Sequence, residues 1–318
     1  MAKLKRQSIN SIRKLLSLIQ NEIDQPKKGR GRPKTYPDSL IILAFFIKTM
    51  MNLSYRDTVY FIQNVLKIDA PSSSDLHYRF SKLDEKLLEK LFKKLLDKLN
   101  IGKEIELIAV DGTGFGYGEK RELKWMRGSQ IRKVSSHVKV ELLVGRVRGR
   151  AIILGVNMGR AYSDERKLLM EILEKVNIKA KKILADALYG MSKEMLEKFY
   201  EISEEVIVPV RNTPHTKVRI GIRKKAKIEY EDKREEYKQR YFTEQVIGKI
   251  KNAYGRLERT KSYEMARKHI WAKMILYNWA MIFCLIGLCK CTLYMAPIAN
   301  TLPAIFRTHS DTVFQRSV

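Results

Sequence analysis

The order of the apolar segments after residue 101 restricts the fold of this chain more than any other feature of its sequence. Three consecutive segments have the length and apolar pattern of β-strands, and beyond them helical and strand patterns alternate. The predicted strands are Ile105–Val110, Val138–Val147, Ala151–Val156, Ile183–Ala185 and Val206–Val210, and the predicted helices are Arg166–Val176 and Lys193–Tyr200. This order predicts an α/β domain with a mixed sheet flanked by helices.

The region before the first strand has helical patterns only. Residues 37–100 are predicted to be helical throughout, and Ser54 is placed as a helix cap. Arg56 and Arg79 are candidates for DNA contact in a helix-turn-helix arrangement, and a helical dimerisation or packing module is the alternative. The sequence therefore predicts an N-terminal all-α region for DNA binding or dimerisation.

Residues 1–36 form a basic arm that contains the sequence Arg30-Gly-Arg32-Pro. A flat, extended backbone of this composition lets two arginines enter the narrow, electronegative minor groove of A·T-rich DNA, as an AT-hook does. A linker held near DNA by charge alone would have the same composition. Arg30 and Arg32 are thus candidate DNA-binding residues, either in a groove or in a tether.

The charge of the chain favours a polyanionic partner. The sequence holds 62 Lys and Arg residues against 35 Asp and Glu residues, which leaves a net charge of +27 at pH 7. Such a charge repels itself and predicts a nucleic-acid partner, although ribosomal or membrane-surface binding would give the same excess. With 45% apolar residues over 318 positions, the chain can also bury a core and hold two domains. This composition excludes a disordered basic protein.

Met274–Leu288 is the most membrane-like stretch of the sequence. It is about 15 residues long and Asn278 interrupts it, whereas a bilayer requires about 20 apolar residues. A buried core helix is predicted instead, so that residues 276–318 form a C-terminal apolar helix and tail without membrane contact. The polar N-terminus and the cysteines confined to one apolar segment favour a reducing cytoplasm.

Two aspartates directly follow predicted strands. Asp111 precedes the glycine-rich segment Gly112–Gly118, which is interpreted as a flexible turn that ends the first strand. Asp186 follows Ile183–Ala185 in the same way. Open α/β sheets place their sites outside the carboxyl ends of strands, although a single aspartate there is commonly a turn or cap residue. The occurrence of two makes both aspartates candidate site residues.

A third acid lies in a basic setting. Tyr237, Arg240, Glu244 and Lys251 are spaced so that they share one face of a predicted helix. An amphipathic helix with ordinary i,i+4 charge pairing is the alternative. The basic segment 211–236 before this helix includes the residues Lys224 and Lys225. Its length and charge favour an insertion that contacts the DNA backbone, and a solvated basic loop is the alternative.

These residues resemble the DDE transposases of bacterial and archaeal insertion sequences, in the insertion-sequence four/five superfamily. Tyr237, Arg240, Glu244 and Lys251 match the family signature Tyr-x2-Arg-x3-Glu-x6-Lys at all four positions. The resemblance covers about residues 101–275. It implies that this range is an RNase-H-like DDE catalytic domain.

The resemblance also implies a cofactor and roles for the site residues. Asp111, Asp186 and Glu244 would be the catalytic carboxylates and the ligands of two Mg²⁺ or Mn²⁺ ions, which neutralise charge during phosphodiester cleavage. The two cations of the signature would contact phosphates. Its tyrosine would position the DNA backbone or pack under the helix.

The implied partner is double-stranded DNA, both the inverted-repeat ends of the element and the target, bound by a homodimer or a larger assembly. The implied reaction is cleavage at the ends followed by joining of the 3′-OH to target DNA. Two alternatives remain open. A nuclease of the same fold would share every catalytic residue without joining strands, and an inactive transposase-derived protein would only bind DNA.

Overall fold

The computed structural model describes residues 14–23, 35–99, 104–118, 125–127, 130–132, 136–211, 218 and 220–285. These residues divide into two compact units, one ending at Leu91 and the other beginning at Phe92. Arg30 and Arg32 of the basic arm, and the tail beyond residue 285, lie outside the described residues.

All described elements of the first unit are helices. They are α1 (14–23), α2 (Asp38–Met51), α3 (Tyr55–Asn64), α4 (Ser73–Ser81) and the start of α5 (Glu85–Asp97). Helix α3 begins after Ser54, whose side chain forms a reciprocal capping box with that of Asp57. Helix α2 is buried over 39–47 and packs against α3 and α4, so it supplies the core of this unit. The predicted helical character of this region is confirmed.

The second unit is built on a mixed sheet. Its strands are β1 (Glu104–Tyr117), β2 (Trp125–Arg127), β3 (Gln130–Arg132), β4 (His137–Val147), β5 (Arg150–Arg160), β6 (Lys179–Leu184), β7 (Ser203–Ile207) and β8 (Leu257–Glu258). The main sheet has the order β5–β4–β1–β6–β7, and β8 pairs with the end of β1. Strands β1, β4 and β5 are antiparallel, whereas β1, β6 and β7 are parallel. This order, with the first strand central, is the RNase-H-like arrangement that the resemblance implied.

Helices flank this sheet, which confirms the predicted α/β class. They are α6 (Glu165–Lys175), α7 (Ala187–Gly190), α8 (Lys193–Ile202), α9 (Ile222–Asp232), α10 (Arg234–Tyr237), α11 (Tyr241–Tyr254) and α12 (Tyr263–Leu285), with a 3₁₀ turn at Lys238–Arg240. Helix α6 packs on β4 and β5, α8 on β6 and β7, and both α11 and α12 pack on β1 and β5. The C-terminal part of the sheet's central strand is thereby placed beside α11.

The interpretation of Gly112–Gly118 as a flexible turn is wrong. Strand β1 continues through these glycines to Tyr117, and its pairing with β4 extends to the pair Gly116 and His137. Gly112, Gly114 and Gly116 leave room for neighbouring side chains instead, since a Cβ at each would lie within 3.1 Å of one. A Cβ at Gly112 would lie 3.0 Å from Oε2 of Glu141, so glycine leaves room for a side chain of the neighbouring strand. Asp111 therefore lies within a long strand and not at its end.

Part of the basic segment 211–236 is helical. Its described residues include the two helices α9 and α10, so a solvated loop does not describe the whole segment. The short sheet of β2 and β3, between β1 and β4, has no counterpart among the predicted strands.

The apolar segment near the C-terminus lies in α12, and the prediction of a buried core helix is confirmed for the residues that the structure describes. Asn278 is buried and bonds to edge strand β5. Its Nδ2 donates to the carbonyl oxygen of Ile153 at 2.7 Å, and its Oδ1 accepts from the Ile153 amide at 3.0 Å. No single described helix has the length and apolar character to cross a membrane; α2 and α3 together meet that criterion but are bent by 111°.

Candidate active site

One arginine bridges two of the three candidate acids. Arg240 Nη1 lies 3.2 Å from Asp111 Oδ1 on β1, and Arg240 Nη2 lies 2.8 Å from Glu244 Oε1 on α11. Because both nitrogens belong to one planar guanidinium, these carboxylate oxygens lie within about 8 Å of each other. The two acids are 133 positions apart in sequence, and the packing of α11 on β1 brings them together.

Asp186 lies just beyond the end of the neighbouring strand, β6, where it caps α7. The parallel pairing of β1 with β6 sets Ala109 opposite Leu184, so two residues further on Asp111 is level with Asp186. Adjacent strands lie about 4.8 Å apart. The side chain of Asp186 is exposed and caps α7, with Oδ1 accepting from the amide of Ala187 at 2.6 Å. The second acid is thus presented at the carboxyl end of β6.

The charged groups of the site shift the pKa values of one another. Burial raises the pKa of Asp111 above its usual value; Arg240 opposes this shift and Glu244 adds to it. Burial also works against the charge of Arg240, but Asp111, Glu244 and Asp186 together raise its pKa above the usual value. Three carboxylates therefore act on a single guanidinium.

The acid set fits Mg²⁺ or Mn²⁺ by its chemistry, because hard divalent ions prefer carboxylate oxygens. Within the described part of the chain, however, no three Asp, Glu, His or Cys side chains are close enough to share an ion. Two of the candidate acids, Asp111 and Glu244, are instead paired with Arg240. The positive charge of its guanidinium partly neutralises these two carboxylates.

The other two signature residues also lie at this site. Lys251 Nζ donates to Thr113 Oγ1 of β1 at 2.6 Å. Burial and the nearby charge of Arg256 lower the pKa of Lys251. Tyr237 is half-buried and packs edge-on against Tyr230, with ring centroids 5.2 Å apart. The 3₁₀ turn before α11 breaks the regular helix that the spacing predicted.

A buried carboxyl group that the sequence did not reveal lies on the next strand. Glu141 of β4 is fully buried, and Tyr189 of α7 donates to its Oε1 at 2.6 Å. Burial raises the pKa of Glu141 to about 8, and its Oε2 has no hydrogen-bond partner in the described structure. The bond ties the corner that carries Asp186 to β4. The signal in the sequence is a single carboxylate within the apolar run of β4.

The remaining predicted DNA-binding residues that the structure describes differ in exposure and in ion pairing. Arg56 of α3 is exposed, whereas Arg79 of α4 forms an ion pair of 2.7 Å with Asp38 of α2. Lys224 of α9 is exposed. Lys225 lies 3.8 Å from Glu229 and 3.9 Å from the centroid of the Tyr200 ring, so part of its charge is balanced within the unit.

The sheet order and the acids beside its central strands define an RNase-H-like α/β protein with a carboxylate site. Residues 102–279, more than half of the chain, match the family model of the transposase DDE domain. The chain therefore belongs to the transposase DDE family. It is also 42% identical over 265 residues to an uncharacterized protein of Aquifex aeolicus (strain VF5), covering 82% of each chain.

Solved transposase complexes give weaker likenesses. The piggyBac transposase synaptic complex with hairpin DNA has a TM-score of 0.44 and 10% identity, covering 87% of this chain and 72% of that one. The Drosophila P element transposase strand transfer complex has a TM-score of 0.32 and 14% identity, covering 95% and 70%. Scores at this level do not establish a shared fold, so the family assignment rests on the domain match and the Aquifex relative.

Proposed function

We propose that this protein is the DNA transposase of an insertion sequence in the four/five superfamily. It binds the ends of its element, cuts them by metal-dependent phosphodiester hydrolysis and joins the freed 3′-OH to target DNA. The observation that carries the proposal is the bridge from Arg240 to Asp111 and Glu244, with Asp186 just beyond the end of the strand that neighbours β1. A signature residue and two acids from distant parts of the chain meet at one site.

Asp111, Asp186 and Glu244 would hold the divalent ions, two Mg²⁺ or Mn²⁺. When bound, such ions activate the attacking oxygen and stabilise the leaving 3′-oxygen of a phosphodiester. The protein's own contribution is positional. Strand β1 would hold Asp111, the end of β6 would present Asp186, and α11 would bring Glu244 to the guanidinium that also contacts Asp111.

Arg240 would exchange its partners during this cycle. In the structure it neutralises Asp111 and Glu244, a role that bound ions would take over. The freed guanidinium is then suited to a phosphate, which a planar fork binds with two parallel hydrogen bonds. Lys251 of α11, which donates to Thr113, would supply a second phosphate contact. Tyr237 would position the DNA backbone or pack under the helix.

Double-stranded DNA is the proposed partner, bound by a homodimer or a larger assembly. The net charge of +27 and the exposed residues Arg56 and Lys224 support it. Lys225, and Arg30 and Arg32 of the arm, remain proposed contacts. The paired Arg79 would need to leave Asp38 before it could contact a phosphate.

The proposal is tested with the full-length protein and a supercoiled plasmid that carries both sequences flanking the gene, incubated with Mg²⁺ or Mn²⁺. Transposition gives cut ends and also products in which a 3′ end is joined to a new site. Cut ends without joined products would instead identify a nuclease. Binding without cleavage, with either ion, would identify a DNA-binding descendant of a transposase.

A further inference from the structure

Helix α11 contains a glycine for which the fold gives no reason. In a helix interior, glycine is the least favourable residue apart from proline. Most glycines that the structure describes are explained by crowding, since a Cβ would meet another atom within 3.1 Å, as at Gly190, where Pro209 O would lie at 2.5 Å. Four others have a positive φ: Gly118, Gly149, Gly221 and Gly255. Among the described glycines, Gly248 alone has neither property. It lies within α11 without a positive φ, and a Cβ there would meet no atom within 4 Å.

The position of Gly248 relates it to the candidate site. It lies four residues after Glu244 and three before Lys251, so the three residues share one face of α11. That face carries the contacts of Glu244 with Arg240 and of Lys251 with Thr113. The bare stretch of helix backbone at Gly248 therefore lies between an acid of the site and a cation of the signature.

The cations on either side of Gly248 favour an extended anion that carries several negative charges. Arg240 lies on the N-terminal side of Gly248, and Lys251 with Arg256 on its C-terminal side. Arg256 directly follows Gly255, the residue that caps the C-terminal end of α11, and lies five positions after Lys251. A nucleic acid, with its repeating phosphates, can pair with cations on both sides of Gly248. The lack of a side chain at glycine lets the sugar-phosphate backbone approach the helix closely.

We infer that a DNA strand crosses α11 at Gly248, with phosphates toward Arg240 on one side and toward Lys251 on the other. This inference rests on the proposed function and specifies how the substrate strand reaches Glu244. A side chain at position 248 would stand between the strand and the helix. The absence of a side chain is thus a requirement of the complex with DNA and not of the fold.

The test uses the variants Gly248→Ala and Gly248→Leu in the full-length protein. Alanine should raise the thermal midpoint by about 2 °C, since it favours the helix and meets no neighbour. Leucine should lower the rate of joining of a pre-cut 3′-OH duplex from the flanking sequence by roughly tenfold or more, and alanine by less. A substitution that raises the thermal midpoint but slows joining would show that glycine at position 248 serves DNA binding and not the stability of the fold.

Lys249→Leu is the matched control, because Lys249 is exposed on the same helix but points about 100° away from Gly248. Its effect should be small and should fade as salt is raised, whereas the steric defect of Gly248→Leu should persist. Wild-type rates in Gly248→Leu at both salt concentrations would overturn the inference while leaving the transposase proposal intact. A lower thermal midpoint for Gly248→Ala would also overturn it, because glycine would then serve the fold.

Discussion

The buried carboxyl group of Glu141 should make the stability of the catalytic unit depend on pH. Burial raises its pKa from the usual 4.5 to about 8 in the folded protein. Between these values the folded protein keeps a proton that the unfolded chain has lost, so folding takes up a proton and stability falls as pH rises. Glu141→Gln removes the titration and keeps an oxygen that can accept from Tyr189.

The size of the effect follows from the shift. One pKa unit corresponds to about 1.4 kcal/mol, so the stability of Glu141→Gln relative to wild type should rise by about 1.4 kcal/mol per pH unit within this window. The full change, from below pH 4.5 to above pH 8, is up to about 5 kcal/mol. Any constant cost of the amide itself adds an offset that does not vary with pH.

The assay is urea unfolding between pH 5 and pH 8, followed by tryptophan fluorescence. All three tryptophans, Trp125, Trp271 and Trp279, belong to the second unit, so the signal reports on the unit that contains Glu141. Leu142→Val on the same strand has no titrating group and should differ from wild type by a constant amount. If the difference in unfolding free energy between Glu141→Gln and wild type did not vary with pH either, the pKa of Glu141 would be the same in the folded and unfolded states. That result would refute the reasoning.

Other consequences follow from particular contacts. Asn278→Ala leaves the amide and the carbonyl group of Ile153 without their buried partner, so it should lower the free energy of unfolding by about 2–4 kcal/mol in urea titrations; a loss below 0.5 kcal/mol would contradict this role. Lys273 is buried against the equally buried Glu258, so Lys273→Met should cost about 3–5 kcal/mol in the same assay, and adding Glu258→Gln should restore part of it. If Arg240 occupies the position of a cation, Arg240→Gln should bind Mn²⁺ roughly tenfold more tightly without DNA, measured by electron paramagnetic resonance titration; an unchanged affinity would show that the arginine does not compete.

The sequence predicted the second acid and the contact of Arg240 with Glu244 well, because both depend on local order along the chain. Asp186 was expected after a short apolar strand and lies directly beyond β6. The spacing of Arg240 and Glu244 predicted a shared face, and their contact of 2.8 Å agrees with it. Apolar periodicity and residue spacing carry this information without any knowledge of distant contacts.

The misread features depend on contacts between distant segments. The glycines after Asp111 have the composition of a turn, but pairing with β4 holds them in a strand and uses their small size. Glu141 has no local motif, and its role appears only when Tyr189 of α7 packs against it. The bridge of Arg240 to Asp111 likewise requires the packing of α11 on β1. The spacing of residues along the sequence predicts which side chains share a helix face. It does not predict which strand that face packs against.

The central claim is that Asp111, Asp186 and Glu244 form one unit that cuts and joins DNA. The most direct test measures joining of a pre-cut 3′-OH end to target DNA by the variants Asp111→Asn, Asp186→Asn and Glu244→Gln, singly and in pairs, with DNA binding measured in parallel. Each single variant should lose joining by roughly 10³-fold or more while it still binds DNA, and pairs should be no worse than singles, because residues that act together are not additive. Partial losses that multiply in the pairs, or joining that survives any one substitution, would contradict a shared site.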